Sequence, residues 1–197
     1  MSEKLSWDPA RTAVLSMDCQ AGIVSVYVPD QEGFLSRAAS VLERARKLGM
    51  CVLDIQVGFR PGLPEVSSRN ALFAAIKNSP QHRQFFEGAS GSIHPRLAPT
   101  DEDIVITKHR VSAFYGTDLD MILRSKEIDT LVLFGIATSG VVLSTLLDAA
   151  DADYRLVVLK DCCADQDDQL HACLIERFFP KRGAVISASD FLAACTG

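Results

Sequence analysis

The amino-acid sequence predicts an α/β fold, a parallel sheet covered by helices on both faces, and two observations carry that prediction. Short aliphatic runs and helical periodicities alternate about six times along the chain. Strand-then-helix repetition, joined by right-handed crossovers, gives parallel strands. Several of the runs are continuous rather than alternating, as strands buried on both faces are. With 197 residues, 48% of them hydrophobic, the chain suits a single domain over residues 1–197. A chain of this length buries roughly 70% of its unfolded surface and needs no disulfide or metal staple.

The first strand is read at 12–17 (TAVLSM). A helix follows at 34–48, where Phe34, Leu35, Ala38, Val41, Leu42, Ala45 and Leu48 fit the i, i+3, i+4, i+7 template and Gly49 stops it. Further strands are read at 50–55 (MCVLDI), 103–107 (DIVIT), 130–137 (TLVLFGIA), 155–160 (RLVVLK) and 184–188 (AVISA), with helices at 118–126, 139–152 and 169–179. Residues 59–69 and 80–102 are rich in Pro, Gly and Ser and lack a period. They read as long loops near the C-terminal ends of the strands, where open α/β sheets bind ligands.

Composition excludes several classes of function. The net charge of −5 without a basic stripe argues against nucleic acid as a partner. The polar start, Met1 to Asp8, lacks the apolar core of a secretory signal. Residues 130–147 carry no charge, but Ala137-Thr138-Ser139-Gly140 breaks them in the middle, so they read as strand, turn and helix rather than a membrane span. A cytoplasmic protein is expected. The six cysteines (Cys19, Cys51, Cys162, Cys163, Cys173, Cys195) form no C-x-x-C, and none has His at zinc-finger spacing, so free thiols are expected. Asp54-x-Gln56 has no nearby His, and the four histidines are scattered, so the sequence calls for no metal. Without G-x-G-x-x-G or a Walker A sequence it calls for no cofactor.

The strand ends carry the chemistry-bearing residues. The first strand ends in Asp18, followed by Gln20; the third ends in Lys108; the fourth runs through Gly135 into Ala137-Thr138-Ser139-Gly140 and then a helix. Taken singly, a strand-terminal Asp or Lys is a cap or an ion pair. Three polar features on one rim make a catalytic geometry.

In the order LSMDCQAGI, DIVITKHRVSAFYGTDLDMIL, IDTLVLFGIATSGVVLSTLLDAADADYRLVVLKDCCAD, the chain resembles the isochorismatase-like hydrolases, from about Thr12 to Asp190. The resemblance implies a three-layer α/β/α fold with a six-stranded parallel sheet in the order 3-2-1-4-5-6. It also implies a catalytic Asp and Lys, here Asp18 and Lys108, and a cysteine nucleophile six residues after the Gly of G-x-A-T. That position is Val141, and a valine provides no nucleophile. The resemblance further assigns Gln20, Gln56, Arg69, Phe114, Ala137 and Thr138 to the substrate-binding shell, with Arg60 a rival to Arg69. It implies a cis peptide at Ile136–Ala137 that aims the backbone N–H groups of Ala137 and Val141 at an anion.

A hydrolase of a small anionic substrate is therefore expected, with cleavage of a vinyl ether such as isochorismate as the concrete reading. Asp18 would act as the acid and Lys108 would hold a carboxylate. Burial would raise the Asp18 pKa and the lysine would lower it, and the sequence leaves that balance open. Gln56 and Arg69 would suit a dicarboxylate. Two alternatives stand beside this reading: a catalytically degenerate relative kept for binding or as a scaffold, and an amidase with a relocated nucleophile. Ser139 is read as the cap of the following helix and Ser144 as nearly a turn past Val141. The apolar stretch 139–152 leads to the expectation of a homo-oligomer.

Overall fold

The structure is a computed structural model describing residues 8–195; the polar segment 1–7 lies outside the described residues. The sheet is six-stranded in the order β3-β2-β1-β4-β5-β6. Its strands are β1 (Thr12–Met17), β2 (Cys51–Val57), β3 (Ile104–Lys108), β4 (Thr130–Ile136), β5 (Arg155–Ala164) and β6 (Ala184–Ile186), and every pairing is parallel. Every residue of β1 is buried, which explains its unbroken aliphatic sequence.

The helices are α1 (Ala21–Tyr27), α2 (Gln31–Lys47), α3 (Ala71–Asn78), α4 (Pro80–Arg83), α5 (Gly88–Gly91), α6 (Leu119–Ser125), α7 (Leu143–Asp151), α8 (Asp168–Cys173) and α9 (Ala188–Ala194). The order runs leftward from β1 to β2 and rightward from β4 to β5. Right-handed crossovers therefore place α2 on one face and α7 on the other. The α2 helix begins where Asp30 accepts from the Gly33 N–H, and it ends on Arg44, Arg46 and Lys47, cations that suit a helix C-terminus. Its buried side is Phe34, Leu35, Ala38, Val41, Leu42 and Ala45, six of the seven positions read from the periodicity.

Five helices escaped the periodicity: α1, α3, α4, α5 and α9. The α1 and α3 helices are too short for a window of two turns, although Asn70 caps α3 on the Phe73 N–H. The α9 helix is announced by a capping box between Ser187 and Asp190. The stretch read as a structureless loop at 80–102 instead holds α4, a turn at Gln84–Phe86, α5 and a turn at Pro95–Leu97. β5 runs four residues past its expected end, to Ala164. The apolar residues of the 139–152 stretch include Val141, Val142, Leu146 and Ala149, all buried in the chain's own core. That helix gives the expected oligomer no support.

Where β4 exits beside β1, Met17 pairs with Gly135. Gly135 has φ 147°, and a Cβ there would lie 2.1 Å from the Met17 carbonyl oxygen. Only glycine permits this approach, and the approach sets the spacing between the Asp18 and Ala137 rims. Gly135→Ala is expected to cost at least about 3 kcal/mol, a fall in Tm of roughly 6–12 °C for a domain of this size. An unchanged melting curve would remove this constraint.

Candidate active site

The sheet changes winding direction between β1 and β4, and the crevice beyond their C-terminal ends is where α/β sheets bind ligands. Asp18 leaves β1 there with φ 54°, a left-handed conformation uncommon outside glycine, while its N–H donates to the Ile55 carbonyl at 2.8 Å. Lys108 ends β3, two strands away. Strands lie about 4.8 Å apart, so its four-carbon stem crosses the end of β2 to reach Asp18. Lys108 Nζ donates to Asp18 Oδ2 at 2.8 Å and to the Arg110 carbonyl at 3.1 Å. An ammonium has three hydrogens, so one is left for a ligand.

Both side chains are buried, Lys108 at 2% exposure and Asp18 at 6%. Burial pushes the Asp18 carboxyl above the ordinary aspartate value of 3.8, and the charge and hydrogen bond of Lys108 oppose the shift without cancelling it. Asp18 Oδ1 has no hydrogen-bond partner.

The pair opens into a cavity of about 320 Å³, on whose far side lie Ile136, Ala137, Gly140 and Val141. The Ile136–Ala137 peptide is cis. The Ala137 carbonyl accepts from the N–H groups of Gly140 and Val142 at 3.1 and 3.3 Å, closing the turn that carries Val141. The expected Ser139 cap is absent. Its backbone N–H instead donates to Asp165 Oδ2 at 2.7 Å, so a carboxylate from the end of β5 serves the helix start. Much of the remaining lining is a cap: Leu72, Phe73 and Ile76 of α3, His82 of α4, and Phe85 and Phe86 beyond it, with Ile23, Val26 and Tyr27 of α1 opposite; Val57, Val111 and the polar Gln166 also reach the cavity. The cap was missed in the sequence because its helices are short. The pattern of Leu72, Phe73 and Ile76 after the Asn70 cap is the signal that could have found it.

The structure gathers some of the residues assigned to the site and disperses others. Asp18, Lys108, Ala137 and Val141 share the cavity. Gln20 does not line it. At 0% exposure its Nε2 donates to the carbonyls of Val57 (3.0 Å) and Gly91 (2.6 Å), and its Oε1 accepts from the Val57 N–H at 2.8 Å. Gln20 clamps the end of the cap to the end of β2, and both of its amide hydrogens are used there, so it has no donor left for an anionic substrate. Gln56 points away, donating to Thr107 Oγ1 at 3.0 Å, and Arg69 is exposed outside the lining. Arg60 pairs with Glu65 at 2.6 Å. Phe114 packs near Tyr154, ring centres 6.2 Å apart, in a loop tied to α7 by the Ala113 N–H on Thr145 Oγ1 at 3.0 Å. Thr138 is buried against His171 Nδ1 at 2.8 Å. No arginine is in the lining, so the dicarboxylate contacts expected of Arg69 are not formed.

The isochorismatase domain model matches residues 12–190. The chain belongs to the isochorismatase family. The uncharacterized isochorismatase family protein YwoC of Bacillus subtilis is 31% identical over 200 residues, covering 98% of each chain. The ureidoacrylate amidohydrolase RutB of Methylobacterium radiotolerans is 33% identical over 201 residues, covering 90% of this chain and 78% of its own. The solved isochorismatase family protein of Burkholderia thailandensis superposes with a TM-score of 0.83 at 28% identity, covering 98% of both chains.

In this member of the isochorismatase family no cysteine lines the cavity. Cys51 sits at the start of β2, the opposite end of the sheet. Cys19, beside Asp18, turns its Sγ toward the Met17 carbonyl at 3.7 Å, and burial pushes its thiol far up. Cys163 is pushed up to about 12 for the same reason. Ser144 lines a separate surface hollow with Arg110 and Tyr115. Among the described residues, no group of three or more His, Cys, Asp or Glu is arranged to hold a metal ion, and no helix is long and apolar enough to cross a membrane.

A second buried carboxyl lies in the sheet itself. Asp54, midway along β2 and opposite Ser16 of β1, has no hydrogen-bond partner on either oxygen. Burial first, and the neighbouring Asp103 second, push it up to about 7, against the pull of Arg46. The native chain holds a proton there that an unfolded aspartate releases near 3.8. The native state therefore binds more protons, and stability falls as pH rises from about 4 to about 7, by about 4 kcal/mol at most. Urea unfolding across this range is expected to show a shallower decline for Asp54→Asn than for the wild type; parallel curves would contradict a proton on Asp54.

Proposed function

We propose that the chain is a hydrolase without a thiol nucleophile, in which Asp18 acts as a general acid on an enol ether and Lys108 holds the substrate's anionic group. The observation that carries this reading is the buried Asp18–Lys108 pair facing Val141 across a cavity that no cysteine lines. The amide hydrolysis named for RutB would here need a nucleophile, and the family's cysteine position is a valine. An acid mechanism needs none.

In this reading Lys108 engages Asp18 Oδ2, leaving the unpartnered Oδ1 to carry the transferable proton. The proton passes to the terminal carbon of the enol ether and leaves an oxocarbenium ion. Water adds to the ion and returns a proton to Asp18, and the hemiketal collapses to an alcohol and a ketone. The lysine's third hydrogen and the turn through Val141 hold the carboxylate beside the reacting carbon. A raised carboxyl pKa keeps the acid protonated nearer neutrality, where a general acid is most effective.

Pyruvate release from 2-phenoxyacrylate, a monocarboxylate (products pyruvate and phenol), tests the reading, with isochorismate, a dicarboxylate, assayed beside it. Asp18→Asn is expected to lower kcat/KM by roughly 10²–10⁴-fold. The wild-type rate should fall tenfold per pH unit above the Asp18 pKa, and alkylating the exposed Cys173 should leave it unchanged. No pyruvate from 2-phenoxyacrylate between pH 5 and 8, or an Asp18→Asn variant as active as wild type, would overturn the acid role.

A further inference from the structure

We propose that the cavity selects a monoanion bearing one aromatic or alicyclic body and rejects dianions. The inference rests on reading this cavity as the substrate site, but not on which bond is broken there.

Its first support is charge. Among the described residues, Lys108 is the only Lys or Arg in the lining. Two of its hydrogens are already placed, on Asp18 and on the Arg110 carbonyl, which leaves one for a ligand. The nearby guanidiniums are occupied or remote. Arg110 donates to the carbonyls of His109 and Glu65 and lies 5.9 Å over the Phe73 ring, on the outside of the cap. Arg60 is held by Glu65, and Arg69 is exposed outside the lining. A second carboxylate in the cavity would lose its water without gaining a cation, a cost of several kcal/mol for an unpaired ion.

The second support is the cap itself. Leu72, Phe73, Ile76, Phe85 and Phe86 form an apolar wall beside Lys108, with Leu72 56% exposed at its edge. Gln20 and the close packing of Gly22 against Phe85 hold this wall in place; a Cβ on Gly22 would lie 3.1 Å from the Phe85 Cα. The cavity, about 320 Å³, is roomy enough for one carboxylate and one six-membered ring.

Calorimetric titration of the full chain at pH 8 tests this with inert ligands. Benzoate is expected to bind at least tenfold tighter than acetate, which lacks the ring. It should exceed benzyl alcohol, which lacks the charge, and phthalate, which adds a second charge, by the same margin. Leu72→Arg, a change at an exposed position, should bring phthalate to within a few-fold of benzoate. Phe85→Ser should weaken benzoate and leave acetate unchanged. Phthalate or acetate binding as tightly as benzoate in the wild type, or no benzoate binding, would overturn the proposal. Selective benzoate binding without turnover of 2-phenoxyacrylate would support the pocket chemistry while removing the enol-ether reaction.

Discussion

A carboxyl and an ammonium group drawn together inside a mostly apolar rim set the terms for the rest of this molecule. Isolated, either charge would be costly to bury; together, at 2.8 Å, they share the burial and leave one acid oxygen and one ammonium hydrogen unengaged. Their meeting depends on the sheet order. β1 and β3 must flank β2 so that a lysine stem can cross the β2 end, and β4 must lie against β1 closely enough that only Gly135 fits. The left-handed Asp18 is held by its N–H bond to Ile55 on the neighbouring strand, so the surroundings enforce the conformation.

The cap supplies what the rim lacks. It brings apolar surface and excludes water, which sharpens every electrostatic effect between Asp18, Lys108 and a ligand. Gln20 makes the link. It follows the acid by two residues and joins the exits of β1 and β2 to Gly91, so the chemistry and the wall that encloses it are positioned by one short segment. The S-A-F motif after Lys108 does comparable work on the other side, tying that loop to α7 through Thr145 and hence to the turn of Val141.

Much of this was legible in the sequence, and the reasons are specific. The central strands β1, β2 and β4 were readable because a strand buried on both faces has little freedom in composition, and α2 because its six buried positions repeat at helical spacing. The positions of Asp18, Lys108 and Ala137 on one rim follow from their places at strand ends. The pocket's character was not legible. Gln20, Gln56 and Arg69 are polar residues near the rim, but their direction is set by contacts across the fold: Gln20 finds backbone partners 37 and 71 residues away. The cap consists of helices of one or two turns in a Pro- and Gly-rich stretch, too short to show a period. Arg69, read as a contact for a dicarboxylate, stands outside the lining, and the aromatic side chains of the cap line the cavity instead.

The balance between burial and the lysine's charge on Asp18 decides whether an acid is available at working pH. Titration of the Asp18 side-chain carboxyl by carbon NMR, assigned by its loss in Asp18→Asn, measures that balance directly. The expected midpoint lies clearly above 3.8, the ordinary aspartate value. A midpoint at or below that value would mean that Lys108 holds the group as a carboxylate, with no proton to give.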